Sequence, residues 1–358
     1  MAHLKAPKVE QSPVSNNRTL LLYEQHHHLA SVDTIKLSTN DFHIDASSPI
    51  QVQPHTISLS GESEERAPLF KDSSGREHFG QKAFLNSDKC QLTVKNGYLF
   101  IQTNINKLSH YYKLQTDRSR RESDFRSLTH EVQEAGIDCD FDEMSVSRLD
   151  LCKQKPLQHT LRTYHTVFSA LSAKRQMSRM HGDTFLFMNK SRATQFYDKG
   201  AEQDIPDVQN LIRAETQLRN SKTVQRHTPF KTLSQVLRAE TEELTAIYNR
   251  QLQDTIFAKT TDDVDISQDL QLIKMLQERY PRAFIDKYLS LIGIPELIRR
   301  YQTVDAFCDA LLQIGVERTA VYRRKKSLSA HYQHYQLLME QAKKESERLY
   351  SEIYSFAA

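Results

Sequence analysis

Residues 145–152 read SVSRLDLC, and this stretch decides the class of fold. Arg148 and Asp150 stand two positions apart, and Leu149 and Leu151 take the alternate positions. Successive side chains of a β-strand point to opposite faces of the sheet. The stretch therefore predicts a strand with a cation and an anion on one face and aliphatic side chains on the other.

A second stretch, IRAETQL at 212–218, repeats this pattern with Arg213 and Glu215. If the two strands are neighbours in one sheet, Asp150 and Glu215 converge. Clustered carboxylates are hard-oxygen ligands that suit Mg²⁺ or Mn²⁺ rather than zinc. The alternative is that both arginine–carboxylate pairs are salt bridges on a solvated sheet face.

Between these stretches lies ATQFYDK, at 193–199. If it is a strand, Gln195, Tyr197 and Lys199 share a face. A tyrosine hydroxyl has an ordinary pKa near 10, so attack on a phosphate needs help, and a nearby ammonium group or a divalent metal supplies it. The alternative is that Tyr197 packs or hydrogen-bonds at a strand end.

Further elements follow from apolar periodicity and from the positions of glycine and proline. Ser123 is the predicted N-cap of the first helix, and Gly136 marks its end. Strands are predicted within 31–45, 97–105, 145–152, 184–190 and 210–220, and helices at 123–137 and 157–174. This mixed order predicts an α/β or α+β domain built on one sheet and ending near residue 228.

The chain divides into four predicted regions. Residues 1–30 are a flexible arm, 31–228 the sheet domain, 229–267 a helical connector with a linker at 260–267, and 268–358 a helical C-terminal domain. A helix is expected over 232–257. The last helix, roughly 328–355, is amphipathic and charged, and is a candidate surface for a partner protein or for self-association.

A basic segment near the C-terminus suggests nucleic-acid contact. An apolar helix face ends at Gly315, and a second helix then begins at Glu317 or Thr319. Helix, short glycine-containing turn and basic helix fit a helix-turn-helix, although a helical bundle with a solvated basic face is the plainer alternative. The predicted DNA-contacting residues here are Arg318, Arg323, Arg324, Lys325 and Lys326.

Bulk properties exclude several classes of protein. The formal net charge is +3, so any nucleic-acid binding depends on local clusters. The four cysteines have no CxxC spacing, which favours a reducing cytosol. No apolar run approaches the ~18 residues of a membrane span, and the polar start has no secretory-signal character. No P-loop motif occurs, so a helicase would be a separate protein.

Five segments in order resemble the rolling-circle replication initiators of single-stranded-DNA phages and plasmids. The segments are NINKLSHYYKL (104–114), EAGI (134–137), SRLDL (147–151), TFLFMNKSRATQFYDKGAEQ (184–203) and NLIRAETQLRN (210–220). The likeness is greatest to the filamentous-phage gene II type, and plasmid initiators of the staphylococcal type look similar in the same core. VDTIKL (32–37) also resembles the first strand of such phage proteins.

The resemblance implies an α+β fold with a central, mostly antiparallel sheet and flanking helices, followed by an all-helical C-terminal region. It implies a metal-dependent enzyme that nicks and rejoins origin DNA through a phosphotyrosine. Tyr197 is then the nucleophile with Lys199 beside it. Asp150 and Glu215 are the metal ligands for Mg²⁺ or Mn²⁺, and Glu202 is either a third ligand or a loop residue. Arg148 and Arg213 are assigned to DNA.

The expected partners are single-stranded or supercoiled origin DNA, a host helicase and polymerase, and a second copy of the chain, in the cytoplasm of a bacterial host. The run His26–His28 offers a different metal motif, and Tyr111 and Tyr112 offer second nucleophiles. Both are weaker alternatives. A non-catalytic origin-binding regulator or accessory protein that shares the fold is the alternative function.

Overall fold

The structure, a computed structural model, describes residues 29–53, 68–105, 118–173, 175–202, 210–258, 268–283, 285 and 288–358. The run His26–His28, the pair Tyr111–Tyr112 and the predicted linker at 260–267 lie outside these residues. The described residues form two compact units. One comprises residues up to Leu161, Ser172–Ala258 and Phe356–Ala358, and the other comprises Arg162–Leu171 and the described part of Lys259–Ser355. The regions drawn from the sequence, with a connector at 229–267, stay a prediction.

Fourteen strands are described, all in the first unit. They are β1 (Ser31–Thr39), β2 (His43–Ile44), β3 (Gln51–Gln53), β4 (Phe70–Lys71), β5 (Glu77–His78), β6 (Lys82–Asn86), β7 (Cys90–Lys95), β8 (Tyr98–Asn104), β9 (Ile137–Asp138), β10 (Ser145–Pro156), β11 (Met177–His181), β12 (Thr184–Met188), β13 (Arg192–Asp198) and β14 (Leu211–Leu218).

Ten described α-helices accompany them. They are α1 (Arg118–Glu134), α2 (His165–Ala170), α3 (Lys199–Glu202), α4 (Ser221–His227), α5 (Leu233–Arg238), α6 (Thr241–Thr255), α7 (Gln268–Arg279), α8 (Ile294–Arg300), α9 (Val304–Gln313) and α10 (Arg318–Tyr354). A 3₁₀ turn at Leu161–Tyr164 precedes α2, and a π-helical turn at Leu289–Gly293 precedes α8.

Ten strands form one sheet in the order β11-β12-β13-β14-β10-β1-β8-β7-β6-β3. Every neighbouring pair in this sheet is antiparallel. Together with its helices and the separate helical unit, the sheet confirms the expected α+β fold. The strands β10 and β14 are neighbours, as the two arginine–carboxylate patterns required.

One face of the sheet is the apolar core of its unit. Lys153, Ala214 and Phe196 lie side by side on β10, β14 and β13 on this face. Helix α6 packs here, and the Tyr248 hydroxyl donates to the Ala214 carbonyl at 3.1 Å. Phe356 meets Phe196 edge to face, with ring centroids 5.9 Å apart. The arginine and acidic side chains of the two R-x-acid patterns on β10 and β14 lie on the opposite face.

Two helix boundaries in the sheet unit differ from those predicted. Helix α1 begins at Arg118, so Ser123 lies inside it and is not its N-cap. Gly136 follows the helix end with φ of +75°, a conformation glycine adopts without steric cost, which confirms its role as the stop signal. The expected single helix over 232–257 is two helices, α5 and α6, interrupted at Ala239, where the backbone is extended.

The predicted helix at 157–174 is wrong. Strand β10 continues to Pro156, and the Leu157 amide donates a hydrogen bond to the Asn210 carbonyl. The backbone here therefore extends the sheet instead of starting a helix. A 3₁₀ turn and the six residues of α2 follow, and the chain is extended again at Leu171. The segment also falls in the second unit from Arg162 to Leu171.

In the helical unit, α9 and α10 are joined by a turn in which Gly315 has φ of +89°. Thr303 caps α9 by accepting from the Ala306 amide at 3.1 Å. The expected basic helix and the expected last helix are one continuous helix of 37 residues, because no glycine or proline interrupts it. A core around Leu272, Leu276, Leu338 and Ala342 holds α7 against α10. No helix in the described ranges combines the length and apolar character needed to cross a membrane.

Phe356→Ala is expected to destabilise the sheet unit by about 3–5 kcal/mol, because Phe356 is 1% exposed and its ring fills a space against Phe196. Urea unfolding followed by far-ultraviolet circular dichroism measures the change. Phe79→Ala is the matched control, since Phe79 is 49% exposed and should cost less than about 0.5 kcal/mol. Equal losses in the two variants would contradict the core described here.

Candidate active site

The polar face of the sheet brings the predicted tyrosine and acids together. Tyr197 of β13 lies opposite Arg213 of β14, and Gln195 lies opposite Glu215. Glu215 in turn lies opposite Cys152 of β10, two residues from Asp150. Residues directly opposite each other on neighbouring strands project from the same face. Tyr197, Glu215 and Asp150 therefore share one face.

Glu215 is the hydrogen-bond acceptor of the tyrosine. The Tyr197 hydroxyl donates to Glu215 Oε1 at 2.5 Å, and the Gln195 side-chain amide donates to Oε2 at 2.5 Å. Glu215 is 4% exposed, whereas Tyr197 is half-buried. Both carboxylate oxygens are thus engaged, and one of them faces the hydroxyl proton.

Arg213 lies at the centre of the site and is 2% exposed. Its Nη1 is 2.6 Å from Asp33 Oδ1, 3.6 Å from Glu215 Oε1 and 3.5 Å from the Tyr197 hydroxyl oxygen. Its Nε and Nη2 are buried without a hydrogen-bond partner among the described residues. A buried guanidinium group with open donors is unusual, and such donors commonly meet a bound ligand or water.

Asp33 belongs to the site although the sequence did not single it out. The pairing of β1 with β10 shifts between Val32 and Thr34, so Asp33 is an extra residue of a β-bulge. It also accepts from Thr34 Oγ1 at 3.1 Å and from Asn104 Nδ2 at 3.2 Å. Strict alternation does not reveal a bulged residue. The sequence therefore offered only one sign of Asp33, an acidic residue inside an otherwise apolar strand.

Asp150 is held by Arg148. The arginine Nε lies 2.9 and 3.1 Å from the two carboxylate oxygens, and Nη2 lies 2.6 Å from Oδ2. Burial raises the pKa of Asp150 to about 7, against the opposing effect of Arg148, and the negative charges of Glu215 and Asp33 add to the rise. The three carboxylates therefore act on one another electrostatically.

Burial also sets the protonation of the tyrosine and its acceptor. It raises the pKa of the Tyr197 hydroxyl; Arg213 opposes this and Glu215 adds to it. It raises the pKa of Glu215 as well, with Asp33 as the next cause and Arg213 opposing. Tyr197 is consequently a neutral phenol at rest, beside a carboxylate that is more basic than usual.

Lys199 and Glu202 lie beyond this strand. Strand β13 ends at Asp198 and Lys199 begins α3, so the expectation that Lys199 shares a strand face with Tyr197 is wrong. The buried Lys199 ammonium pairs with the half-exposed Glu202 carboxylate and lies 5.5 Å from the Tyr197 ring centroid. Their catalytic and metal-binding roles stay predictions.

The predicted DNA-contacting residues fall into two groups. Arg148 and Arg213 are ion-paired within the site described above. On α10, Lys325 pairs with Asp305 of α9 at 2.6 Å, and the Arg318 guanidinium lies 5.5 Å from the Tyr322 ring centroid. Arg323, Arg324 and Lys326 are exposed and form no ion pair with the described residues. Their contact with DNA stays a prediction.

No group of three His, Cys, Asp or Glu residues within the described part of the chain is arranged to hold a metal ion. The donor chemistry nevertheless fits a hard divalent cation, because Asp33, Asp150 and Glu215 are buried carboxylates on three adjacent strands. Burial is the largest cause of the raised pKa of Asp150 and of Glu215, and the neighbouring carboxylates add to it while Arg148 and Arg213 oppose it.

Comparison with known proteins gives a likeness to a solved structure and no match to a family model. No protein-family model and no curated protein matches the chain. The chain is similar to a solved structure, the rolling circle replication initiator protein from Geobacillus stearothermophilus, at 12% sequence identity and a TM-score of 0.33. The match covers 66% of this chain and 89% of that one. Likeness at this level identifies no catalytic residue in this chain.

Asp150→Asn is expected to flatten the dependence of stability on pH. A carboxyl group whose pKa is raised on folding stabilises the protein fully below its ordinary pKa of about 4, and this contribution is lost as the pH rises towards 7. The loss amounts to about 1.4 kcal/mol per pH unit within that window. Urea midpoints at several pH values between about 4.5 and 6.5 measure it, and the asparagine variant should lack this fall.

Asp183→Asn is the control for this experiment. Asp183 is exposed in the turn between β11 and β12. Its replacement should leave the slope between pH 4.5 and 6.5 unchanged. A slope in Asp150→Asn that equals the wild-type slope would show that Asp150 is ionised over the whole range.

Proposed function

We propose that this protein is a site-specific DNA nickase and strand transferase that initiates rolling-circle replication of a phage or plasmid. The observation that carries the proposal is the hydrogen bond from the Tyr197 hydroxyl to the buried Glu215 carboxylate, with Arg213 beside both groups. A nucleophile bonded to a positioned base is the signature of covalent catalysis. The ordered motifs that resemble the initiator family supply the substrate class.

Glu215 supplies the general base in this proposal. The Tyr197 oxygen attacks the scissile phosphorus while its proton passes to Glu215 Oε1, 2.5 Å away. The new bond joins tyrosine oxygen to phosphorus, and the bond from phosphorus to the 3′ oxygen breaks. The 3′ oxygen leaves as a hydroxyl with a proton from solvent, and the 5′ phosphate stays on Tyr197. Reversal by a 3′ hydroxyl rejoins the strand without ATP, because the phosphotyrosine keeps the bond energy.

Arg213 supplies positive charge where negative charge develops. Its Nη1 lies 3.5 Å from the attacking oxygen, and its Nε and Nη2 have no partner among the described residues. Guanidinium groups bind phosphate oxygens through paired N–H donors. Within the proposal, Arg213 acts through its charge near the attacking oxygen, and the Nη1 pair with Asp33 keeps the guanidinium group in place.

A divalent cation completes the expected chemistry. Asp150 and Glu215, with Asp33 beside them, are the residues that would hold Mg²⁺ or Mn²⁺, which when bound polarises the phosphate. Glu202 is directed at Lys199. Lys199, 5.5 Å from the Tyr197 ring centroid, adds positive charge near the phenol without contacting its oxygen.

Origin binding is assigned to the helical unit. The exposed Arg323, Arg324 and Lys326 follow the glycine turn between α9 and α10, which is the arrangement expected of a helix-turn-helix. Single-stranded or supercoiled origin DNA is the proposed partner, in the cytoplasm of a bacterial host. A separate host helicase and polymerase would extend the free 3′ end, and a homodimer is the proposed assembly.

Tyr197→Phe is expected to abolish a covalent protein–DNA adduct, because the variant lacks the attacking oxygen. Purified protein is incubated with labelled single-stranded DNA from the replicon that encodes it, with Mg²⁺ or Mn²⁺, and the adduct is read on a denaturing gel. Glu215→Gln should reduce adduct formation by roughly 10²–10⁴-fold, the usual contribution of a general base.

Tyr98→Phe is the matched control, since Tyr98 is 46% exposed on β8 and should form adduct at the wild-type rate. An adduct that persists in Tyr197→Phe would place the nucleophile elsewhere. Origin binding by the wild-type protein without any adduct would favour the alternative function, a non-catalytic origin-binding regulator.

The double variant Arg323→Ala/Arg324→Ala is expected to weaken binding to double-stranded origin DNA. The slope of log affinity against log salt should fall by roughly 0.9 for each lost phosphate contact. Fluorescence anisotropy at several salt concentrations measures it. Lys343→Ala/Lys344→Ala, on the same helix, removes equal charge, but both lysines are exposed and pair with glutamates. Equal effects from the two pairs would indicate non-specific charge alone.

A further inference from the structure

The edge strand β11 is exposed on both faces. All five of its residues, MSRMH, are exposed, and Met177 and Met180 are 56% and 57% exposed. Among the described strands, β11 pairs with β12 alone, and Gly182, with φ of +57°, forms the turn between them. Exposed edge strands with apolar side chains commonly mark interaction sites, so this edge is a candidate binding surface.

Strand register connects this hairpin to the candidate active site. Arg179 lies opposite Leu186, Leu186 opposite Gln195, and Gln195 opposite Glu215. These four residues form one row on the polar face. A parallel row runs from Met177 through Met188, Ala193 and Gln217 to Asp150. Met177 and Arg179 therefore project from the same face as Tyr197, and Met180 projects from the opposite face.

The hairpin is positively charged. Arg175, Arg179 and Lys190 lie in or beside it, and Asp183 is the acid at its turn. Arg175, Arg179 and Lys190 form no ion pair with any described residue. Unpaired cations interleaved with apolar side chains suit a single strand of DNA, which offers phosphates and unstacked bases together.

We propose that the β11–β12 hairpin is a docking surface for the single-stranded DNA that flanks the scissile phosphate. The proposal rests on the proposed function for the position of the reacting phosphate at Tyr197. Arg179 contacts a backbone phosphate, and Met177 packs its thioether against a base.

The span of this surface follows from strand spacing. Neighbouring strands lie roughly 4.8 Å apart, so β11 lies about 10 Å from the Tyr197 strand. At the ~3.4 Å spacing of stacked nucleotides, the hairpin reaches about three nucleotides from the scissile phosphate. Leu186 lies between Arg179 and Gln195 in this path, and continues the apolar contact towards the site.

Equilibrium binding to DNA tests the proposal without the cleavage reaction. The probe is a fluorescein-labelled, mixed-sequence single-stranded DNA of about 20 nucleotides, titrated with full-length protein in EDTA and read by anisotropy. Arg179→Glu should weaken binding about tenfold or more, and Arg179→Ala should lower the salt slope by roughly 0.7. Met177→Ala should weaken binding about two- to tenfold.

Each variant has a matched control. Met180→Ala removes an equally exposed methionine from the opposite face of the same strand and should bind like wild type. Arg76→Glu makes the same charge change in the loop between β4 and β5, where Arg76 is also exposed, and should also bind like wild type.

The two proposals fail in different ways. If hairpin variants bind DNA like wild type while wild-type protein forms the Tyr197 adduct, the docking surface is wrong and the nickase stands. If hairpin variants lose binding but the wild-type protein forms no adduct, the docking surface stands and the nickase is wrong.

Equal losses in Met177→Ala and Met180→Ala, or no single-strand binding by wild type, would also overturn the docking surface. Aggregation of Arg179→Glu with unchanged affinity for DNA would show that the charge only protects an edge strand.

Discussion

The structure of the polar sheet face depends on one buried cation, the guanidinium group of Arg213. A buried charge is tolerated only when it is paired and hydrogen-bonded, and removal of one partner costs several kcal/mol. Arg213 is paired through Nη1 with Asp33 on β1 and lies close to Glu215 on its own strand and Tyr197 on β13. Those partners come from three strands, so the sheet must hold β13, β14, β10 and β1 in one register for the charge to be compensated. The same requirement assembles a phenol, a base and a cation within hydrogen-bonding reach of one another.

Strand alternation was sufficient to predict most of this arrangement. Arg148 with Asp150 and Arg213 with Glu215 are each two residues apart, so each pair shares a face, and the register of β10 against β14 puts both pairs on the same face. Tyr197 follows from the same rule, because β13 is a regular strand up to Asp198. Alternation does not predict the position of Asp33, because Asp33 lies in a β-bulge, where one extra residue changes the face to which the side chain points. A bulge is decided by pairing between distant segments, and local periodicity carries no information about it.

Helix and strand boundaries were predicted wrongly where contacts with distant segments, rather than local periodicity, determine the backbone conformation. The segment after Pro156 has helical periodicity, yet the Leu157 amide bonds Asn210, and only the six residues of α2 become α-helical. Lys199 was assigned to the strand because the alternation continues through it in sequence. In the structure the strand stops one residue earlier, and the lysine turns to Glu202 at the start of α3. Long α10 shows the opposite error, because a break was expected where the sequence contains no residue that would cause one.

Burial changes steadily across the polar face, and this gradient bears on function. Arg213, Glu215, Asp33 and Asp150 are nearly inaccessible, Tyr197 and Gln195 are half-buried, and β11 is fully open. Low dielectric surroundings strengthen the contacts among the buried groups and make Glu215 a better proton acceptor. Tyr197 lies at the boundary, with its hydroxyl bonded to the buried Glu215 carboxylate and its strand adjoining β12, which adjoins the exposed edge strand β11. In the proposed function, the nucleophile must reach a polymer and so cannot be as buried as its base. A single strand of DNA would meet both conditions, with its phosphate in the site and its flanking nucleotides on the exposed side of the sheet.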